Sequence, residues 1–166
     1  IAAISFAVNP ADKSSDSGRA VNSTLGRSTF LRAVIDTNVF ISGLMLPQSV
    51  PGRITHAWRT GHFALVLSEP VLREMPSVLS YSKIRKRIAW NDDTISRYLT
   101  LLRFEAEIAD IRHTKAHVPR DAKDNMVLAS LISSKADCLV TGDLDLLSLA
   151  DTAPIISPAD FVRRIF

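Results

Sequence analysis

Residues 32–40 read RAVIDTNVF, and the charge in that stretch decides how the rest of the chain is read. Ala33, Val34 and Ile35 make the short apolar run of a buried strand, yet the strand ends on Asp36. A strand-end aspartate often caps the following helix by accepting from a backbone N–H of its first turn. The other reading is that the edge of a sheet holds a carboxylate at a functional site. The neighbouring segments bear on the choice.

Downstream, Asn38–Leu46 has helical spacing through Val39, Phe40, Gly43 and Leu44, and Pro47 stops it. Arg53–Arg59 reads as a second helix ended at Gly61, and FALVL (63–67) as a second strand. Ser68 reads as an N-cap, with Glu69 and Pro70 in the first turn of a helix that runs to Leu79. Further helices are expected over Lys83–Ile88, Asp93–Glu107, Ala122–Ser134 and the short LDLLSLA (144–150). AEIADI (106–111) and PIIS (154–157) read as strands, CLVTGD (138–143) as a strand followed by a turn, and Pro158–Ile165 as a last helix. Short continuous apolar strands alternating with helices predict an α/β fold, a parallel sheet covered on both faces. In such sheets, sites form at the carboxyl ends of the strands. Asp36 falls on that edge, and so does Asp143, just past CLVT (138–141).

The 166 residues fit one domain with a real core. Hydrophobic residues make up 46% and charged residues 22%, an ordinary globular composition. A net charge of +3 and a pI near 9.3 permit nucleic-acid binding without demanding it. The single cysteine, Cys138, excludes an internal disulfide and a thiolate-rich zinc site, and points to the cytoplasm. No apolar run approaches the ~18–20 residues that span a bilayer, so no membrane association is expected. The opening run IAAISFAV lacks the flanks of a signal peptide. Asn9–Ser28 is rich in Ser, Asp, Gly and Asn without apolar period, so residues 1–30 are expected to be a flexible extension and 31–166 the folded domain.

Four acids stand out, each with a plain alternative. Asp36 and Asp143 each precede a helix and so suit an N-cap; Gly142 before Asp143 would allow a sharp turn. Glu74 is expected on the apolar stripe of Val71, Met75, Val78 and Leu79, where a carboxylate is paired, holds a metal or marks the boundary. Asp121 and Asp124 resemble a capping box with Asp in place of Glu, yet two carboxylates on one helical turn repel and invite a cation. Taken together, carboxylates without cysteine or paired histidines select a hard cation such as Mg²⁺ or Mn²⁺.

At these residues the chain resembles the PIN domain family of metal-dependent ribonucleases, and within it the VapC-like toxin components of toxin–antitoxin pairs. VIDTNVFISGL (34–44) resembles the opening motif with Asp36 as first acid, and SEPVLREMPSVL (68–79) the helix with the second, Glu74. RDAKDNMVLASLISSKADCLVTGDLDLL (120–147) would supply Asp124 and Asp143, and PIISPADFV (154–162) resembles the closing strand and helix. Two departures stand out: some thirty residues precede the first motif, and Pro76 sits two residues after Glu74, where it would kink the helix.

The resemblance implies a three-layer α/β/α sandwich with a mainly parallel central sheet. It implies Mg²⁺ or Mn²⁺ between Asp36, Asp124 and Asp143, with Glu74 as a ligand or acting through water. The reaction implied is hydrolysis of RNA to products with a 5′-phosphate and a 3′-OH. Asn38 and Thr141 would support the ligands, with Asp121 and Asp145 as peripheral acids; Asp145 equally suits a solvated place in a first helical turn. The family also implies a cognate antitoxin protein and a homodimer.

An acidic cleft repels RNA, so cations must deliver it. Lys83, Arg85, Lys86 and Arg87 in KIRKR (83–87), together with Arg120, are candidates; Arg53, His56, Arg59 and His62 share another helical region, and Lys123 stands near Arg120. A solvated helix face is the alternative for KIRKR. Two other functions compete: a PIN-like scaffold that binds RNA or protein without cutting, and a haloacid-dehalogenase-like phosphatase. The latter wants a second Asp two residues after the first, where this chain has Asn38.

Overall fold

The computed structural model describes residues 30–118 and 124–166. The expected extension, but for Phe30, lies outside them, as do Arg120, Asp121 and Lys123. Strands β1 (Arg32–Ile35), β2 (Ala64–Ser68), β3 (Glu107–Ala109), β4 (Cys138–Val140) and β5 (Ile155–Ile156) form a five-stranded sheet in the order β3-β2-β1-β4-β5. Every pairing is parallel. The helices are α1 (Thr37–Met45), α2 (Val50–Arg59), α3 (Glu69–Ser80), α4 (Ser82–Ile88), α5 (Asp92–Glu105), α6 (Asp124–Ser134), α7 (Leu144–Leu147) and α8 (Pro158–Ile165).

The chain builds outward from β1 to β2 and β3, then crosses back to place β4 on the other side of β1. Because parallel crossovers are right-handed, this reversal puts α6 on the face opposite α1–α5. α6 packs across β2, β1, β4 and β3. The central strands β1, β2 and β4 are buried nearly end to end, as parallel strands covered on both faces must be. Phe40, Phe63, Phe161, Leu65, Met75 and Leu139 fill the core, and Phe63 meets Phe161 edge-on with centroids 5.0 Å apart. At the amino edge of the sheet, the Arg32 guanidinium bonds the carboxylate of Glu107 and the carbonyls of Ser134 and Lys135. The carboxyl edge is left for chemistry.

Three local expectations are corrected. α2 begins at Val50 rather than Arg53, because Ser49 caps it through Gly52 N–H (3.1 Å) and Pro51 sits in the first turn, where its missing N–H costs nothing. Ser68 occupies the N-cap position of α3 but makes no capping bond, and its buried hydroxyl has no partner among the described residues. Pro70, at the second helical position, offers no N–H, which removes one of the two donors a capping hydroxyl accepts from. Gly142 is not in the left-handed region, so the turn before Asp143 does not depend on glycine. α3 runs through Pro76 to Ser80.

Candidate active site

The strand order reverses between β1 and β4, and a crevice at the carboxyl ends of the strands opens at such a switch point. Both expected strand-end acids stand there. Asp36 follows β1, its backbone N–H donating to Val140 O (3.0 Å), and Asp143 follows β4 by three residues. A cleft of about 330 Å³ is lined by Asp36, Asn38, Ser42, Pro51, Gly142, Asp143 and Pro158 among others.

The capping and functional readings of Asp36 are compatible. One carboxylate oxygen, Oδ1, accepts from Asn38 N–H at 3.0 Å and starts α1. The other, Oδ2, accepts from the Thr141 hydroxyl at 2.6 Å. Thr141 is fully buried and its Oγ1 also accepts from Asp143 N–H at 3.0 Å. One hydroxyl therefore fixes the acid after β1 and the backbone that presents the acid after β4. Asp143 in turn caps α7, its Oδ1 accepting from Asp145 N–H (2.7 Å) and Leu146 N–H (3.3 Å).

Asp36 is 2% exposed, an unusual place for a carboxylate. Burial pushes its pKa up; the bonds from Thr141 and Asn38 N–H pull it down, and the nearby Asp143 carboxylate pushes it up again. The balance is upward, which means that the fold leaves the Asp36 charge incompletely compensated. A divalent cation between Asp36 and Asp143 would supply what is missing. The donors are all oxygen, and each carboxylate keeps lone pairs beyond those used in capping, so the pair suits a hard cation.

The other two acids are placed differently. Asp124 is the first residue of α6 and half-buried. Asn125 beside it accepts from Val118 N–H at 2.7 Å, which anchors the start of α6 to the segment after β3. Glu74 is exposed, a correction to its expected place on the apolar stripe. The buried residues of α3 are Val71, Leu72, Met75 and Leu79, so the stripe passes through position 72 and leaves 74 on its flank. Among the described residues, no three acidic, histidine or cysteine side chains are grouped closely enough to hold a metal. The structure thus brings Asp36 and Asp143 together at one cleft, and Glu74 and Asp124 are not among the described residues that line it.

Asn38 lines the cleft, and Asp145 is half-buried in the first turn of α7. Ser42, which the sequence reading missed, lines the cleft one helical turn after Asn38; the polar pair at i and i+4 was the available signal. Of KIRKR, Lys83, Lys86 and Arg87 border a pocket with Met45 and Leu46, whereas Arg85 is held by Asp92 at 2.6 Å. No helix among the described residues is long and apolar enough to cross a membrane.

A model of the PIN domain family matches residues 32–145, the span that contains Asp36, Glu74, Asp124 and Asp143. The chain is also similar to the uncharacterized protein MJ1680 of Methanocaldococcus jannaschii, with 35% identity over 121 residues, 73% of this chain and 76% of that protein.

Proposed function

The chain belongs to the PIN domain family, whose members are commonly nucleases that use divalent metals, and from that premise we propose that it is a Mg²⁺- or Mn²⁺-dependent endoribonuclease. The observation that carries the proposal is the buried Asp36 at the switch point, coupled through Thr141 to Asp143. Asp36 and Asp143 would hold the cation, and Asp124 and Glu74 would complete the set. A cation bound there supplies an activated water and polarises the scissile phosphate. Thr141 holds Asp36 in one orientation, and Asn38 and Ser42 offer polar groups on the cleft wall. Attack by water leaves a 5′-phosphate and a 3′-OH and does not need the ribose 2′-OH.

The finer role follows from resemblance to VapC-like proteins: a cytoplasmic toxin component held by a cognate antitoxin, acting as a homodimer. An antitoxin segment that enters the cleft would carry an Arg or Lys to take the place of the metal.

One observation favours a second, non-catalytic reading: Glu74 is exposed and the described acids form no three-membered group. Cleavage of a mixed RNA pool in Mn²⁺ separates the two. The parent chain is compared with Asp36→Asn, Asp124→Asn and Glu74→Gln. Metal-dependent cleavage that falls to background in the two aspartate variants supports the nuclease, and the third variant reports whether Glu74 takes part. A folded parent that binds RNA but never cuts it supports the scaffold.

A further inference from the structure

Outside the acid cleft, a groove of about 680 Å³ lies between the end of α1, α2 and the end of α4. Arg53, His56 and Arg59 enter it from α2 and Arg87 from α4, and no Asp or Glu is among the described residues that line it. On the neighbouring helices, Arg73, Arg85, Arg97 and Arg103 are each tied to an acid. Arg53, Arg59 and Arg87 have no such partner among the described residues, so three unneutralised guanidinium groups face one cavity.

The groove also has aromatic walls. Arg53 lies over the Phe166 ring at 5.1 Å, and Phe166 is 63% exposed. Trp90 is half-buried and braced by Tyr98, with ring centroids 4.9 Å apart. Guanidinium groups beside fixed rings suit a flexible polyanion whose phosphates pair and whose bases stack. A second pocket, bordered by Lys83 and Lys86, shares Met45 and Arg87 with the groove and extends the basic track.

The position relative to the cleft points the same way. α1 presents Asn38, Val39 and Ser42 to the acid cleft and Gly43, Leu44 and Met45 to the groove. A helix of this length spans roughly 13 Å, so a single strand lying along it reaches both.

We propose that the groove of Arg53, His56, Arg59 and Arg87 binds the phosphate backbone of single-stranded RNA a few nucleotides from the acid cleft. The choice of RNA as ligand rests on the nuclease reading; the groove itself does not require cleavage. Arg53, Arg59 and Arg87 carry the phosphates, Phe166 and Trp90 stack bases, and Arg85 takes no part because Asp92 holds it.

The test is binding of a fluorescein-labelled single-stranded RNA 12-mer of mixed sequence, followed by anisotropy in EDTA so that cleavage does not intervene. The parent is compared with Arg53→Gln/Arg59→Gln/Arg87→Gln, with Arg59→Gln alone, and with Arg97→Gln as a control whose partner is Asp93. Melting curves confirm that each variant is folded. The triple variant is expected to bind at least about tenfold more weakly, and its slope of log affinity against log salt is expected to fall by about 2. The single variant should lose about one third of that slope change, and the control should match the parent. A triple variant that binds like the parent, an equal loss in the control, or a parent that does not bind RNA overturns the proposal. Binding through the groove without cleavage in Mn²⁺ would overturn the nuclease reading and leave this one standing.

Discussion

Asp36 carries a charge that its surroundings only partly accommodate. Two hydrogen bonds favour the carboxylate, while burial and the neighbouring Asp143 oppose it. Replacing the charge with an amide should therefore cost little stability without metal, because the amide oxygen still caps α1 and Thr141 can turn to accept from the new N–H₂. Asp36→Ala is different: it loses a cap worth about 1 kcal/mol and leaves the buried Thr141 O–H without its acceptor, at a cost of about 1–3 kcal/mol. Urea unfolding should show Asp36→Asn near the parent and Asp36→Ala well below it, while neither supports metal-dependent cleavage. Thr141→Val, which removes the bond to Asp36 but keeps the shape, is expected to lower metal affinity about 10–100-fold in a Mn²⁺ titration. Cys138 offers an independent check of burial. Its thiol is fully enclosed, and burial pushes it up to about 11. It should resist a thiol reagent at pH 8 until the chain unfolds. Both states keep this proton below about pH 8.5; above that the unfolded chain loses it first, so stability falls as pH rises. The fall ends near pH 11, where the folded thiol ionises as well.

At the scale of elements, the junction of α1 and α2 governs both the cleft and the groove, because the two helices line each of them. They meet through glycines. A Cβ on Gly43 would stand 2.6 Å from Pro51 O and from Thr55 Cγ2, and one on Gly52 would land on the carbonyls of Leu46 and Pro47. Backbone cannot retreat as a flexible side chain can, so Gly43→Ala and Gly52→Ala should each cost about 1–3 kcal/mol, read from urea midpoints. Gly142→Ala meets open space and should leave the midpoint unchanged. Equal effects at all three positions would mean that the helix junction is not closely packed.

On the scale of the whole molecule, Asp36 and Asp143 share the sheet's switch point, while arginines with no acid partner among the described residues face a separate groove along α1 and α2. A net charge of +3 conceals this division. A cation bound only by the folded chain stabilises it by mass action, about 2.7 kcal/mol at a hundredfold excess over its Kd. Mn²⁺ should therefore raise the melting temperature in a concentration-dependent way, and the rise should vanish in Asp36→Asn and Asp143→Asn. A rise that survives in both would place the metal elsewhere.

The sequence by itself determined the fold class and the two strand-end acids. VIDTNVF and CLVTGD are local patterns: apolar runs too short for helices, each ended by an acid that starts the next helix. Such patterns depend on chain periodicity and capping, which act between near neighbours. Only the tertiary structure decided what those acids share. Thr141 and Asp36 are joined by one hydroxyl across 105 residues, because β4 pairs with β1 and not with β3. Glu74 shows the limit of reading a stripe. The face of α3 that is buried depends on the layer it packs against, and this turns Leu72 inward and leaves Glu74 in solvent. Charge runs are similarly ambiguous: KIRKR is uniform in sequence, yet Asp92 removes Arg85 from it while Arg87 joins the arginines of α2 in the groove. Which cations stay free is settled by where the carboxylates of other elements come to rest, and that is a property of packing.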